Sequence, residues 1–221
     1  MDIVFSWAGE AGGSRTVDTH CFFLCCGALV NITSSLERVE SFAYEYVLCT
    51  QQSTQTNINR LKPASLFAFN AHAFHPIYAA TFVLDFFHYV IVDGRTFDSV
   101  AGLLFSSSPL SRHMGVLRFW THGSVVKRCT FKWAHSRTQL LGELVLYQCP
   151  TCYCIQAWDQ RSLGPSSELR QDVTIRCGYV GEQGRCTQEL HFTLPPNLPF
   201  KTLKQPEGVW VAFGVEKTDF L

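Results

Sequence analysis

Apolar and polar residues change rhythm several times along this 221-residue chain. His20 to Val30 is a short apolar run ending near Gly27 and Asn31, bounded as a buried strand is. Thr33 or Ser34 then offers a helix cap. Leu36, Val39, Phe42, Ala43 and Tyr46 recur at helical spacing through to about Val47. Gln51 to Lys62 is polar and is followed by Pro63, which predicts a loop. Ala64 to Asn70 reads as a second buried strand. Pro76 suits the first position of a helix. Ile77, Ala80, Thr81, Leu84, Phe87 and Tyr89 continue that helix, apolar nearly all round, up to Asp93-Gly94. Thr96 caps a third helix through about Phe105. Gly115 to Trp120 and Val125 to His135 predict two strands joined at His122-Gly123. Residues 6–18 read as a loop, and Gly9 to Thr16 lacks the Gly-Lys-Ser/Thr ending of a phosphate-binding loop.

That order of elements predicts an α/β layer over residues 1–142. Beyond Tyr147 long apolar helices give way to Cys, Gly and short alternating strands. Residues 143–194 are therefore expected to form a small β-rich second domain. Residues 195–221, with Pro195, Pro196, Pro199 and Pro206, read as an extended tail with one candidate final strand at Val209 to Val215.

Composition narrows the functional classes. The chain is 47% hydrophobic and 16% charged, too apolar for disorder. Its 18 basic and 18 acidic side chains cancel, so net charge favours no particular partner. The halves differ: residues 1–110 hold 5 basic and 9 acidic residues (−4), residues 111–221 hold 13 and 9 (+4). The second half is a pointer toward an anionic partner, nucleic acid among them. The longest apolar run, Ile77 to Val92, is cut by Asp85 and His88, so neither a membrane span nor a membrane partner is expected. The N-terminus has no basic region and no apolar segment of useful length. The expected setting is intracellular, in the cytoplasm or nucleus.

Ten cysteines carry the candidate chemistry. Cys21, Cys25 and Cys26 share an apolar run and read as small buried thiols. Cys149, Cys152, Cys154, Cys177 and Cys186 cluster later. Cys149-Pro-Thr-Cys152 has the two-residue gap that turns two thiolates onto one ion. Another 24 residues separate Cys152 from Cys177, and eight separate Cys177 from Cys186. Two knuckles joined by a hairpin give the logic of a zinc ribbon. Cys149, Cys152, Cys177 and Cys186 are the expected Zn2+ ligands, with Cys154 or His191 as candidate substitutes for one of them. Four protein ligands leave no open position for water, so the zinc is expected to be structural. Arg161, Arg170, Arg176 and Arg185 surround the cluster, with Lys127, Arg128, Lys132 and Arg137 upstream. Tyr153, Trp158 and Tyr179 are candidates for stacking on bases.

Phe22-Phe23-Leu24-Cys25-Cys26-Gly27 resembles the strand end of caspase-like peptidases, where an apolar strand delivers a nucleophilic Cys just before a Gly. Thr81 to Ala101, an aromatic helix ending at Gly94 followed by a second helix, resembles the CHAT branch of that clan. The chain also resembles uncharacterised fungal proteins in which such a half-domain precedes a zinc-ribbon-like segment. The resemblance covers residues 18–110 and implies a partial caspase-like α/β layer with Cys25 as candidate nucleophile. It also implies a catalytic His on an earlier strand. The single upstream His is His20, five residues from Cys25. On an extended strand that spacing is roughly 17 Å and places the two on opposite faces. Without a base the thiol stays near its free pKa.

The expected function is therefore a non-enzymatic zinc-binding interaction or structural protein on a degenerate caspase-like half-domain. Its partner is another protein, or a second copy through a sheet edge left unpaired by missing first strands. A nucleic-acid-binding module using the basic half, and a cysteine peptidase using Cys25, are the alternatives.

Overall fold

A computed structural model describes residues 3–6, 18–24, 32–51, 62–71, 76–107, 114–122, 125–135, 138–155, 158–159, 172–182, 184–194, 200–205 and 208–214. Strands β1 (Ile3–Ser6) and β2 (Asp18–Phe23) precede helix α1 (Thr33–Gln51) and strand β3 (Lys62–Asn70). Helix α2 (Pro76–Phe86) starts at its proline and runs on as a π-helical segment, Phe87–Val92. Helix α3 (Phe97–Ser107) follows, with the Thr96 hydroxyl accepting from the Ser99 amide at 3.4 Å. The hairpin strands β4 (Gly115–His122) and β5 (Val125–Ala134) come next.

The expected α/β class is observed, as a mixed sheet with helices on both faces. Among the described strands only β2 and β3 pair in parallel, as α1 between them requires; the other pairs of the large sheet are antiparallel. Side chains alternate across β3 as the pleat demands. Phe67 and Phe69 face α2 and α3, while Leu66 and Ala68 face α1 through Val39 and Leu36. The first face is a ring-packed core in which Phe67 meets Phe22, Phe82, Phe86 and Phe97 at centroid distances of 5.0, 5.9, 5.2 and 5.3 Å.

A smaller unit is inserted after β5. It contains β6 (Gln139–Leu140), β7 (Glu143–Leu144), β8 (Trp158–Asp159), β9 (Asp172–Cys177), β10 (Val180–Gly181), β11 (Gly184–Arg185) and β12 (Glu189–Thr193). The order β12-β9-β8 makes a three-stranded sheet whose buried residues include Trp158, Val173 and Ile175. The chain then returns through β13 (Phe200–Gln205) and β14 (Gly208–Phe213), completing the large sheet in the order β1-β2-β3-β4-β5-β14-β13.

Two expectations change here. Residues 195–221 are not an extended tail with one strand: 200–213 supply a hairpin, and β14 pairs with β5. The reason is burial, since Trp210 is fully enclosed against Phe105 and Trp133. Nor is the outer edge of β2 unpaired, because β1 pairs it antiparallel from Ile3↔Phe22 to Ser6↔Thr19. Cys25, Cys26 and the distal half of the expected His20–Val30 strand lie outside the described residues, as does Val215.

Candidate metal centre

The first knuckle is a tight turn held by its own backbone. The Cys149 amide donates to the Cys154 carbonyl at 3.0 Å, and the Tyr153 amide returns to the Cys149 carbonyl at 2.9 Å. Tyr153 adopts a left-handed φ of 59°, and the Gln148 side-chain amide donates to its carbonyl at 2.8 Å. This geometry turns Cys149 and Cys152 toward the same point. The second knuckle solves the problem of its long gap. Eight residues between Cys177 and Cys186 are taken up by the small β10–β11 hairpin, turning at Gly184 with φ 101°. The Cys186 amide then donates to the Tyr179 carbonyl at 2.9 Å, and the Cys177 amide to the Gln188 carbonyl at 2.9 Å. Thr151 in the first knuckle donates to the Gln188 side-chain oxygen at 2.6 Å, tying the two together.

The four sulfurs converge as a result. The Sγ atoms of Cys149, Cys152, Cys177 and Cys186 all lie within 4.8 Å of one another. Cys149 and Cys186 are 3.9 Å apart, Cys152 and Cys177 3.5 Å. All four are free thiols, so the cluster is not a pair of disulfides. It is a closed donor set that can hold a metal ion. Cys154 and His191 stand outside it. Cys154 contributes its carbonyl to the knuckle, and His191 is exposed, with its Nδ1 3.0 Å from the Thr174 hydroxyl.

The thiols are unequal. Burial pushes Cys149 up, but the amides of Cys152 and Thr151 and the thiols of Cys152 and Cys177 favour its thiolate and bring it down to about 7. Burial pushes Cys177 up to about 12, against the Tyr179 amide and with the neighbouring sulfurs. The Gln188 amide lowers Cys186, yet burial and the sulfurs of Cys152 and Cys149 leave it raised. Crowded sulfurs that cannot all ionise alone are the electrostatic condition a cation relieves.

The expected nucleic-acid contacts fare differently. Arg176 is paired with Glu189 at 2.5 Å, and Arg185 with Asp159 at 3.5 Å. Upstream, Arg128 pairs with Glu40 and Lys132 with Glu143. Tyr153 and Tyr179 are exposed, but Trp158 is buried and its indole N–H donates to the Leu146 carbonyl at 2.6 Å. Trp158 is therefore a core residue of the unit and presents no face for stacking. Arg161, Arg170 and Arg137 lie outside the described residues.

Cys25 lies outside the described residues. His20 is described and buried, its ring 4.9 Å from Phe86. Burial, then the charge of Arg118, lowers its pKa to about 4. Sequence reasoning missed the group beside it. Arg118 on β4 is buried, with Nε donating to the Ser65 hydroxyl at 3.1 Å and Nη1 to Asp98 at 2.6 Å. Its guanidinium lies 4.2 Å from the Phe97 ring centroid and 4.7 Å from that of Trp120. The available signal was one arginine within Val116 to Trp120, an otherwise apolar strand. A cleft of about 420 Å³ also opens where the small unit meets the large sheet, lined by Arg128, Lys132, Leu141, Glu143, Phe192 and Phe213 among others.

Compared with protein-family models, with curated proteins and with solved structures, the chain finds no match.

Proposed function

We propose that this is a non-enzymatic, zinc-stapled structural or interaction protein. The observation that carries the reading is the convergence of four sulfurs within 4.8 Å. Around a zinc ion with bonds of about 2.3 Å, tetrahedral sulfurs sit roughly 3.8 Å apart. The spacings of 3.9 and 3.5 Å bracket that edge. Cys149, Cys152, Cys177 and Cys186 would hold the ion and fill its coordination sphere. The zinc would supply folding free energy to the small unit rather than a reactive water. Iron also accepts four thiolates, so the metal itself has to be read.

The absence of enzymatic activity is part of the proposal. His20, the base nearest Cys25 in sequence, is spent in the core under Phe86. Support for a degenerate caspase-like half-domain is limited to β2, α1 and the parallel strand β3; β4 and β5 then run antiparallel. The nucleic-acid alternative loses weight because four of its expected cations are paired with carboxylates.

The test is the metal content of the purified, chelator-washed full chain by mass spectrometry, beside Cys149→Ser and Cys154→Ser. One zinc per chain, lost in Cys149→Ser and kept in Cys154→Ser, is the expected result. A wild type without metal, or with iron in place of zinc, overturns it.

A further inference from the structure

We propose that Thr151 and Gln188 are positioning residues of the metal centre, a clasp between the two knuckles that governs how tightly the four cysteines hold their ion. The inference rests on the metal-binding reading of Cys149, Cys152, Cys177 and Cys186 and concerns two residues that are not ligands. The knuckles arrive separately. The first, residues 148–155, is closed by the bridge Gln148↔Ile155. The second leaves β9 at Cys177 and comes back through the β10–β11 hairpin to Cys186. Cys177 is fixed by the sheet, where it pairs with Trp158 of β8. Cys186 lies between β11 and β12, outside both. Its amide ties it to Tyr179 in its own knuckle, so its place relative to the first knuckle has to come from another contact.

Gln188 supplies that contact. Its carbonyl accepts from the Cys177 amide at 2.9 Å, and its own amide donates to the Cys186 sulfur. Its side-chain Nε2 donates to the Glu189 carbonyl at 2.8 Å, which orients the carboxamide. Oε1 then accepts from the Thr151 hydroxyl at 2.6 Å. The Thr151 amide in turn donates to the Cys149 sulfur. Each of the two residues stands two positions after the cysteine it supports, in Cys149-Pro-Thr151 and in Cys186-Thr-Gln188. One side-chain hydrogen bond thus joins the residue that supports Cys149 to the residue that supports Cys186, and those two sulfurs are 3.9 Å apart. Ligands held in place before the ion arrives lose less freedom when it binds. Partners that orient ligands change metal affinity by roughly 10–100-fold. The Thr151–Gln188 bond is exposed to water, which places its effect at the low end of that range.

Competition for zinc between the full chain and a chromophoric chelator decides it. Thr151→Val keeps the size of the side chain and loses the hydroxyl, and because Thr151 is exposed the change disturbs no core. Gln188→Ala loses the carboxamide and keeps the backbone contacts to Cys177 and Cys186. Each variant is expected to weaken zinc binding about tenfold. Thr151→Ser, which restores the donor, is expected to match the wild type. Combining Thr151→Val with Gln188→Ala should cost no more than either alone, because both remove the same bond. Thr174→Val takes a comparable exposed hydrogen bond, the one to His191, out of the same unit and should leave the affinity unchanged. With cobalt in place of zinc, all these variants should keep the tetrathiolate absorption of the wild type, since no ligand is lost. A wild type that binds no zinc overturns this proposal together with the metal reading. A wild type that binds zinc no more tightly than Thr151→Val overturns the clasp alone. So do single losses that multiply in the double variant, or an equal loss in Thr174→Val.

Discussion

The seven-stranded layer and the small unit are held together by different physics. Among the described residues, one face of the layer's sheet buries nineteen in a single core, dominated by phenylalanine rings that pack edge to face and by Trp210. Among its described residues the small unit buries eight, and two of those are Cys149 and Cys177. Its strands β6, β7, β8, β10 and β11 are two residues long. A unit of this size has little apolar surface to set against its chain entropy, and disulfides or a metal commonly supply the difference. The placement of two candidate ligands inside its core is the sequence's answer to that shortage.

The largest expected effect breaks the comparison at its weak side. Structural zinc binding is worth about 10–16 kcal/mol in small peptides, as much as the whole stability of a domain. Stripping the metal with a chelator should open residues 143–194 to protease while the sheet layer stays resistant. The β13–β14 hairpin is expected to remain docked. Trp210 is buried, and lengthening the loop that returns to it adds little closure entropy. Limited proteolysis with mass mapping checks this, and first cuts outside 143–194 would count against it.

Breaking the strong side costs less but acts everywhere. Phe67→Ala removes a ring enclosed by four others and should destabilise the layer by about 3–5 kcal/mol. Metal content should not change. A urea midpoint displaced by that amount, with stoichiometric metal retained, is the expected pair of results.

What could be read beforehand divides along the same line. The layer's elements were legible because burial writes itself as periodicity. Leu36, Val39 and Phe42 marked α1; Pro76 and Asp93-Gly94 bounded the second helical stretch; Thr96 capped the third. The first pair of the converging cysteines, Cys149 and Cys152, was legible as candidate ligands because a two-residue gap has few other uses. Three things were not. β1 is four residues long and gains its identity by pairing with β2. β13 sits among prolines that locally argue against a strand, and only the distant pairing of β14 with β5 gives it a place. The π-helical stretch shares the apolar composition of the α-helix it extends, and six residues, none of them buried, are too few to show the change of period in the sequence.

His20 sharpens the comparison by pH. Its folded pKa of about 4 lies below the ordinary 6.5, because burial and Arg118 disfavour the charged ring. Among the described residues its Nδ1 has no hydrogen-bond partner. The unfolded chain therefore binds the extra proton first. Stability is complete above pH 6.5 and falls as pH drops from 6.5 toward 4, by about 3 kcal/mol in all. Urea midpoints at pH 7 and pH 4.5 should show this loss in the wild type and a smaller one in His20→Leu. Equal losses in both would assign the acid sensitivity to carboxylates instead.

The smallest expected effect lies where the two regions meet. Lys132 of β5 reaches Glu143 of the small unit, and its stem underlies Gly142, where an added Cβ would come within 2.6 Å of Lys132 Cβ. The ammonium and the carboxylate are both partly in water, so their coupling should be only about 0.2–1 kcal/mol. Lys132→Met keeps the stem and loses the charge, whereas Lys132→Ala loses both. If the junction is mainly packing, Met should be close to neutral and Ala should cost more. A double-mutant cycle with Glu143→Gln isolates the charge. A coupling well above 1 kcal/mol would mean the regions are one cooperative body, and chelation should then lower the unfolding midpoint of the sheet as well. A coupling inside the expected range leaves them as neighbours that unfold separately, the layer with its rings and the small unit with its four cysteines.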